Sequence, residues 1–389
     1  MCLYKDFDTL RKYGGISELP AYIAENLNQN FKLRDYQRRA FENFITYFEK
    51  NPPKPTQVLF HMATGSGKTL IMAGLIIYLY KQGWRNFLFF VNLTNILEKT
   101  RDNFLNATSA KYLFADEIII DGEKIRVNEV ENFQYTDDDA INICFITTQK
   151  LHTDIFSSVK ENKMTLDDFE DKKIVLISDE AHHLNVETRG GNNSDSNWEN
   201  SVRKIFEMNA ENILLEFTAT CDLANDNIKK FYADKIIFNY PLVNFYNEGY
   251  SKEIISLRSD FSRMEKALQA IILSQYRLKI FQDNRLSIKP VILFKTATIA
   301  DNKNFMSDFL DEMKNLSGEK LRELARKCDS EIMRHAFEYF RRKEISLDEL
   351  AAELRDDFSA AHCILTNNND DAEKNQLIFR RCVHKGKVI

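Results

Sequence analysis

An apolar run, Val58-Leu59-Phe60, leads into MATGSGKT (62–69), and LIMAGLIIYLY (70–80) follows at once. No other feature of the 389 residues constrains the fold as strongly. Glycines at 65 and 67 allow backbone conformations that other residues resist, so the loop's N–H groups can close around an anion. A helix beginning where the loop ends aims its free N–H groups and the positive end of its dipole at the same place. The spacing fits G-x-x-x-x-G-K-T, with Met62 where the pattern has its first glycine. Thr64, Gly65, Ser66, Gly67, Lys68 and Thr69 are therefore the predicted phosphate cradle. Lys68 would reach the β/γ-phosphates of ATP, and the Thr69 hydroxyl would ligate Mg²⁺.

The surrounding pattern extends this unit. Phe87 to Val91, Ile141 to Ile146, Ile174 to Ile177 and Ile213 to Phe217 are further short apolar runs, separated by helical patterns. Runs of this kind predict an α/β fold with a mostly parallel sheet covered on both faces. EIIIDGEKIRV (117–127) predicts a hairpin around Asp121-Gly122. Near residue 250 the pattern restarts. It predicts a helix over about 259–283, a strand over Pro290–Phe294, and a capping box from Ser346 to Glu349.

A second chemical signal is IVLISDEAHHL (174–184). An apolar strand delivers Asp179 and Glu180 at its C-terminal end, where open α/β sheets bind ligands. Asp179 would hold Mg²⁺, and Glu180 would polarise the water that attacks the γ-phosphate. An adjacent carboxylate pair is by itself an ordinary exposed charge; its place after a buried strand, downstream of Lys68, gives it a role. His182 and His183 have no cysteine or third histidine at ligand spacing, so zinc is not expected.

Composition narrows the field. Lys+Arg is 53 against 58 Asp+Glu, a net charge of −5, which disfavours a basic nucleic-acid-coating module and leaves local basic grooves open. The 6 cysteines form no C-x-x-C pair, which argues against a zinc or disulfide framework and suits a reducing cytoplasm. The first residues lack the apolar stretch of a secretion signal, and no window approaches a membrane span.

With MATGSGKT and SDEAH together, the chain resembles the superfamily 2 helicases and translocases, and most of all the Res subunit of type III restriction–modification enzymes. The likeness covers roughly residues 30 to 378. LRDYQ (33–37) resembles the motif that reads adenine, which makes Gln37 the implied adenine contact. VNLTNIL (91–97) and ITTQKL (146–151) lie where the family touches a nucleic-acid backbone, which points to Thr94, Asn95, Thr147, Thr148 and Gln149. EFTAT (216–220) resembles the motif that couples the state of ATP to the strand, through Thr218 and Thr220, with His182 beside them. KPVILFK (289–295) resembles the opening strand of a second lobe. Each has a plainer reading: Gln37 on a solvated helix face, Thr94 and Asn95 as a helix cap, Thr147 to Gln149 as a turn.

The resemblance implies a RecA-like P-loop NTPase lobe over 30–250, after an extension of residues 1–29, and a partial second RecA-like lobe over 251–389. It implies ATP and Mg²⁺ as cofactors, DNA as partner, a modification (methyltransferase) subunit as a further partner, and a DNA-dependent ATPase or translocase as the activity. The sequence departs from the family where the second lobe should supply arginine fingers, groups that contribute about 10³–10⁵ in rate. NQLIFRRC (375–382) has neither the spacing nor the glycine of that motif. The expectation is a chain truncated before these motifs and before the family's nuclease, or one completed by a partner. Glu161-x-Lys163 and Glu170-x-Lys172 match a nuclease pattern only inside charged stretches and are read as solvated charge.

Overall fold

The computed structural model describes residues 2–156, 165–179, 195–221, 225–251, 257 and 260–365. The chain divides into two compact units, Met1–Glu253 and Ile254–Ile389.

The first unit is built on β1 (Thr56–Met62), β2 (Asn86–Val91), β3 (Ile118–Ile120), β4 (Glu123–Glu129), β5 (Ala140–Thr147), β6 (Ile174–Asp179), β7 (Ile213–Thr218) and β8 (Ile236–Tyr240). They form one sheet in the order β3-β4-β5-β2-β6-β7-β1-β8. Every pairing is parallel except β3 with β4. That exception is the predicted hairpin. Asp121 (φ 53°) and Gly122 (φ 87°) make the two-residue turn whose twist matches the strands.

Parallel strands need crossovers that cover the sheet, and both faces of each central strand are apolar for that reason. Phe87, Phe89 and Val91 of β2 enter one core with Val175 and Ile177 of β6. Leu88 and Phe90 enter another core with Ile174 and Leu176. The first core is closed by α1 (Leu3–Lys12), α2 (Ala21–Glu25), α3 (Asp35–Glu49), α4 (Lys68–Lys81) and α5 (Thr94–Leu105). On the opposite face lie α6 (Thr148–Phe156) and α7 (Asp195–Met208), whose Leu151, Val202 and Ile205 are buried. Two short helices, α8 (Asp226–Tyr232) and α9 (Leu242–Asn247), flank β8. Helix α4 is buried along its whole length from Leu70 to Tyr80, as its uninterrupted apolar sequence requires.

Among the described residues the second unit is helical: α10 (Arg263–Asp283), α11 (Ile299–Lys314), α12 (Gly318–Lys327), α13 (Glu331–Arg342) and α14 (Leu347–Asp357). Its own core joins Leu268 and Ile272 of α10 to Phe309, Leu321, Phe340 and Leu350. The strand expected over Pro290–Phe294 is a correction. The segment keeps the alternation of a strand, with Ile292 and Phe294 packed inward and Val291 and Leu293 at 78% and 79% exposure. It pairs with no strand among the described residues. Alternation fixes which side chains face inward, but a ladder also needs a neighbour to exchange hydrogen bonds with.

Candidate nucleotide site

The parallel register sets the C-terminal ends of β1, β6 and β7 on one level. His61 of β1 lies opposite Thr218 of β7, and Asp179 of β6 lies opposite Phe217. Strand β7 runs between β1 and β6, so at the usual strand spacing the acidic strand end stands about 10 Å from the phosphate-loop strand.

The loop leaves β1 at Ala63, whose N–H bonds the Tyr240 carbonyl at 3.0 Å. Thr64 and Gly65 are exposed at its tip, Ser66 is buried, and Gly67, Lys68 and Thr69 are half-buried. Gly65 and Gly67 take φ of 79° and 80°, the left-handed region that the sequence assigned to them. Gly67 caps α4, so Lys68 and Thr69 are its first residues, ahead of the first hydrogen bonds of the helix.

Gln37 is buried against this loop. Its Nε2 donates to the Ser66 carbonyl at 3.0 Å, and its Oε1 accepts from the Arg34 N–H at 3.0 Å. Tyr36, which the sequence did not single out, donates from its hydroxyl to the same Ser66 carbonyl at 2.8 Å. Its ring stacks on Tyr240, 4.3 Å between centroids, and burial raises its hydroxyl pKa above the ordinary value, against the pull of Arg34. The Arg34 guanidinium lies 4.7 Å over the half-exposed Tyr250 ring.

Asp179, the last residue of β6, is half-buried at the sheet edge. Glu180 and His182 lie outside the described residues. Thr218 and Thr220 close a tight turn: the Thr218 hydroxyl accepts from the Thr220 N–H and donates to the Thr220 carbonyl, both at 3.1 Å. The expected strand contacts gather further along the same edge. Thr94 and Asn95 are exposed in the first turn of α5, beside exposed Leu93. Thr147 lies opposite Val91, and its hydroxyl accepts from the Lys150 N–H at 3.2 Å. Thr148 is buried and donates to Asn92 Oδ1 at 2.7 Å, while Gln149 is exposed. Thr148, the first residue of α6, thus ties that helix to the residue after β2, and Thr94, Asn95 and Gln149 are the accessible members of the group.

His61 and its partner Asn239 also escaped the sequence reading. His61 is buried, with Nδ1 2.7 Å from Asn239 Oδ1 and Nε2 3.3 Å from the Ala219 carbonyl. Burial pushes its imidazole below the ordinary value, hydrogen bonds to Asn239 and Ala219 oppose that, and the Lys68 charge adds to it. Neither residue belongs to a spacing pattern; only adjacency to the loop could have flagged His61.

Residues 30–223 match the family described as "Type III restriction enzyme, res subunit". They resemble a Res-type domain. A probable type III restriction-modification enzyme HindVIP Res subunit from Haemophilus influenzae is 36% identical over 329 residues, which are 77% of this chain and 63% of that protein. The chain thus spans under two thirds of the relative's length. Among solved structures, the Hef helicase domain of Pyrococcus furiosus matches at 16% identity and TM-score 0.37, over 92% of this chain and 75% of that one. A DNA-bound type ISP restriction-modification enzyme, LlaBIII, matches at 18% and 0.35, over 74% and 19%. These two likenesses are distant. The strand–loop–helix and the acidic strand end both lie inside residues 30–223, the matched stretch. No helix among the described residues is long and apolar enough to cross a membrane.

Proposed function

We propose that the Res-type domain binds ATP and that the chain is the DNA-dependent ATPase and translocase core of a restriction-type motor. The observation that carries this reading is the level placement of the phosphate loop and Asp179, one strand apart on the edge where parallel sheets bind ligands.

The loop fits a polyphosphate. Two left-handed glycines turn its backbone, α4 begins at its end, and the buried Ser66 hydroxyl has no hydrogen-bond partner among the described residues. Lys68 supplies a positive charge there and Thr69 a hydroxyl. Mg²⁺, held by Thr69 and Asp179, would neutralise charge on the phosphates. Glu180 is the proposed water-activating base, and Gln37 the proposed adenine contact. Thr94, Asn95, Thr147, Thr148 and Gln149 are the proposed DNA side of the edge, with Thr218, Thr220 and His182 between the two functions. The Haemophilus relative is named as part of a restriction-modification enzyme, and a modification subunit is the proposed protein partner. The cytoplasm is the proposed compartment.

The test is steady-state ATP hydrolysis by the purified chain, with and without duplex DNA, beside Lys68→Ala, Asp179→Asn and Glu180→Gln. A DNA-stimulated rate lost in all three establishes the motor. Lys68-dependent ATP binding without turnover assigns the chain instead to a nucleotide-binding module completed by a partner. No ATP binding removes the reading.

A further inference from the structure

Strand β1 enters the phosphate loop through apolar residues, Val58, Leu59, Phe60 and Met62, with one polar interruption at His61. A buried imidazole needs partners for both nitrogens, and β1 has a neighbour on each side to supply them. His61 lies opposite Thr218 on β7 and opposite Asn239 on β8. Its two ring contacts follow that register: Asn239 through Nδ1, and through Nε2 the carbonyl of Ala219, the middle residue of the Thr218–Thr220 turn.

The neutral ring has one donor and one acceptor. A backbone carbonyl only accepts, so Nε2 must carry the hydrogen for the Ala219 bond to exist. Nδ1 then needs a donor. Asn239 provides one by turning its amide end for end, a change that leaves its shape almost the same. A doubly protonated ring would donate to both oxygens, but burial and the nearby Lys68 charge oppose that form. The Nε2–H tautomer is therefore the one that satisfies every group.

We propose that His61 is a positioning residue whose Nε2–H holds the Ala219 carbonyl and so links the phosphate loop to the Thr218–Thr220 turn. The link is short, since Met62 alone separates His61 from Ala63, where the loop begins. A displacement of the loop on binding nucleotide reaches β7 through one side chain, without passing through Asp179. The proposal rests on the reading of the loop as an ATP site.

Gln and Asn separate the two ring contacts, because the Gln amide nitrogen falls near the position of Nε2 and the Asn nitrogen near that of Nδ1. The experiment is amide hydrogen exchange over residues 213–221 in the full chain, with and without Mg²⁺ and a non-hydrolysable ATP analogue. Affinity for the analogue is measured separately. Wild type and His61→Gln are expected to show slowing on binding of about fivefold, the factor that corresponds to one net hydrogen bond. His61→Asn is expected to bind the analogue with little change and to lose the slowing. Asn239→Ala, which removes the Nδ1 contact and leaves Nε2 its carbonyl, is expected to keep the slowing as His61→Gln does. His61→Ala, which removes both contacts, is expected to lose it and serves if His61→Asn folds poorly. Slowing that persists in His61→Asn or His61→Ala while the analogue still binds overturns the proposal and leaves the ATP site standing. Equal loss in His61→Gln and His61→Asn overturns it too, since the ring would then matter only as filler. Failure of the wild type to bind the analogue removes the ATP reading and the proposal together.

Discussion

Gln37 Nε2 donates to the Ser66 carbonyl at 3.0 Å, from the helix ahead of the phosphate loop to the backbone of the loop itself. With the Arg34 N–H on its Oε1, both ends of the amide are engaged within the protein. The loop's shape thus depends on α3. A Cβ added at Gly67 would sit 2.5 Å from that same Nε2, at a φ of 80° that side chains resist. Gln37→Ala leaves Ser66 with the Tyr36 hydroxyl alone and is expected to weaken binding of a fluorescent ATP analogue by about tenfold. Gly67→Ala adds backbone strain to the lost contact and is expected to weaken it further, by on the order of a hundredfold. A Gly67→Ala protein that binds like wild type would show that the loop does not hold this shape when occupied.

Gly74 marks where α4 and α3 touch. A Cβ there would lie 2.5 Å from Cζ and 2.6 Å from Cε1 of Phe41, a fully buried ring. Gly74→Ala gains about 1 kcal/mol of helix propensity and meets an overpacking cost of about 1–3 kcal/mol. Phe41 has no solvent to move into, so overpacking is expected to prevail and the melting temperature of the first unit to fall by several degrees. A rise in melting temperature would show that α3 can withdraw from α4.

Features fixed by neighbours in the chain were legible before the fold was known. The phosphate loop, the Asp121-Gly122 turn and the Ser346 cap each depend on a few consecutive residues, and each stands where its spacing put it. Features fixed across the sheet were not. Nothing in VLFHM tells that His61 faces Thr218 on one side and Asn239 on the other, because register is set by packing of distant strands. Gln37 was legible as a residue of interest through LRDYQ, yet its grip on Ser66 was not. The Pro290–Phe294 segment shows the converse: period-2 alternation predicted the inward pair Ile292 and Phe294, but alternation says nothing about whether a ladder partner exists.

The Ser346 cap gives a prediction for the second unit. Ser346 Oγ accepts from the Glu349 N–H at 3.2 Å, and Glu349 Oε2 accepts from the Ser346 N–H at 2.7 Å. The Ser346 N–H, and the Ser346 hydroxyl that donates to the same Oε2 at 2.8 Å, hold the Glu349 carboxyl below the usual range. Behind them Leu350, Ala351 and Leu354 are fully buried in the helical core. Ser346→Ala is expected to lower the stability of this unit by about 1 kcal/mol, and Ser346→Asp to restore most of it. The check is urea unfolding followed by far-ultraviolet circular dichroism. Equal stability of the alanine variant and wild type would mean that packing alone fixes the start of α14.

Glu216 sets a pH dependence. It is a carboxyl inside β7, fully enclosed, accepting from Gln57 Nε2 at 2.7 Å and from the Tyr232 hydroxyl at 3.1 Å. Burial pushes its pKa up to about 7, against the pull of both hydrogen bonds and of Lys235. In the unfolded chain it titrates near 4.5. The folded state therefore holds this proton more tightly. Its contribution to stability is fully present below about pH 4.5 and is lost as pH rises through about 7, up to roughly 3 kcal/mol across that window. Glu216→Gln has no proton to lose. The stability of wild type relative to Glu216→Gln is accordingly expected to fall between pH 5 and pH 8, with most of the change complete by pH 7.5. Urea unfolding of both proteins at half-unit steps of pH measures the difference. A difference that stays constant with pH would mean that Glu216 is ionised in the folded protein throughout the range, and that Lys235 and its two hydrogen bonds outweigh burial.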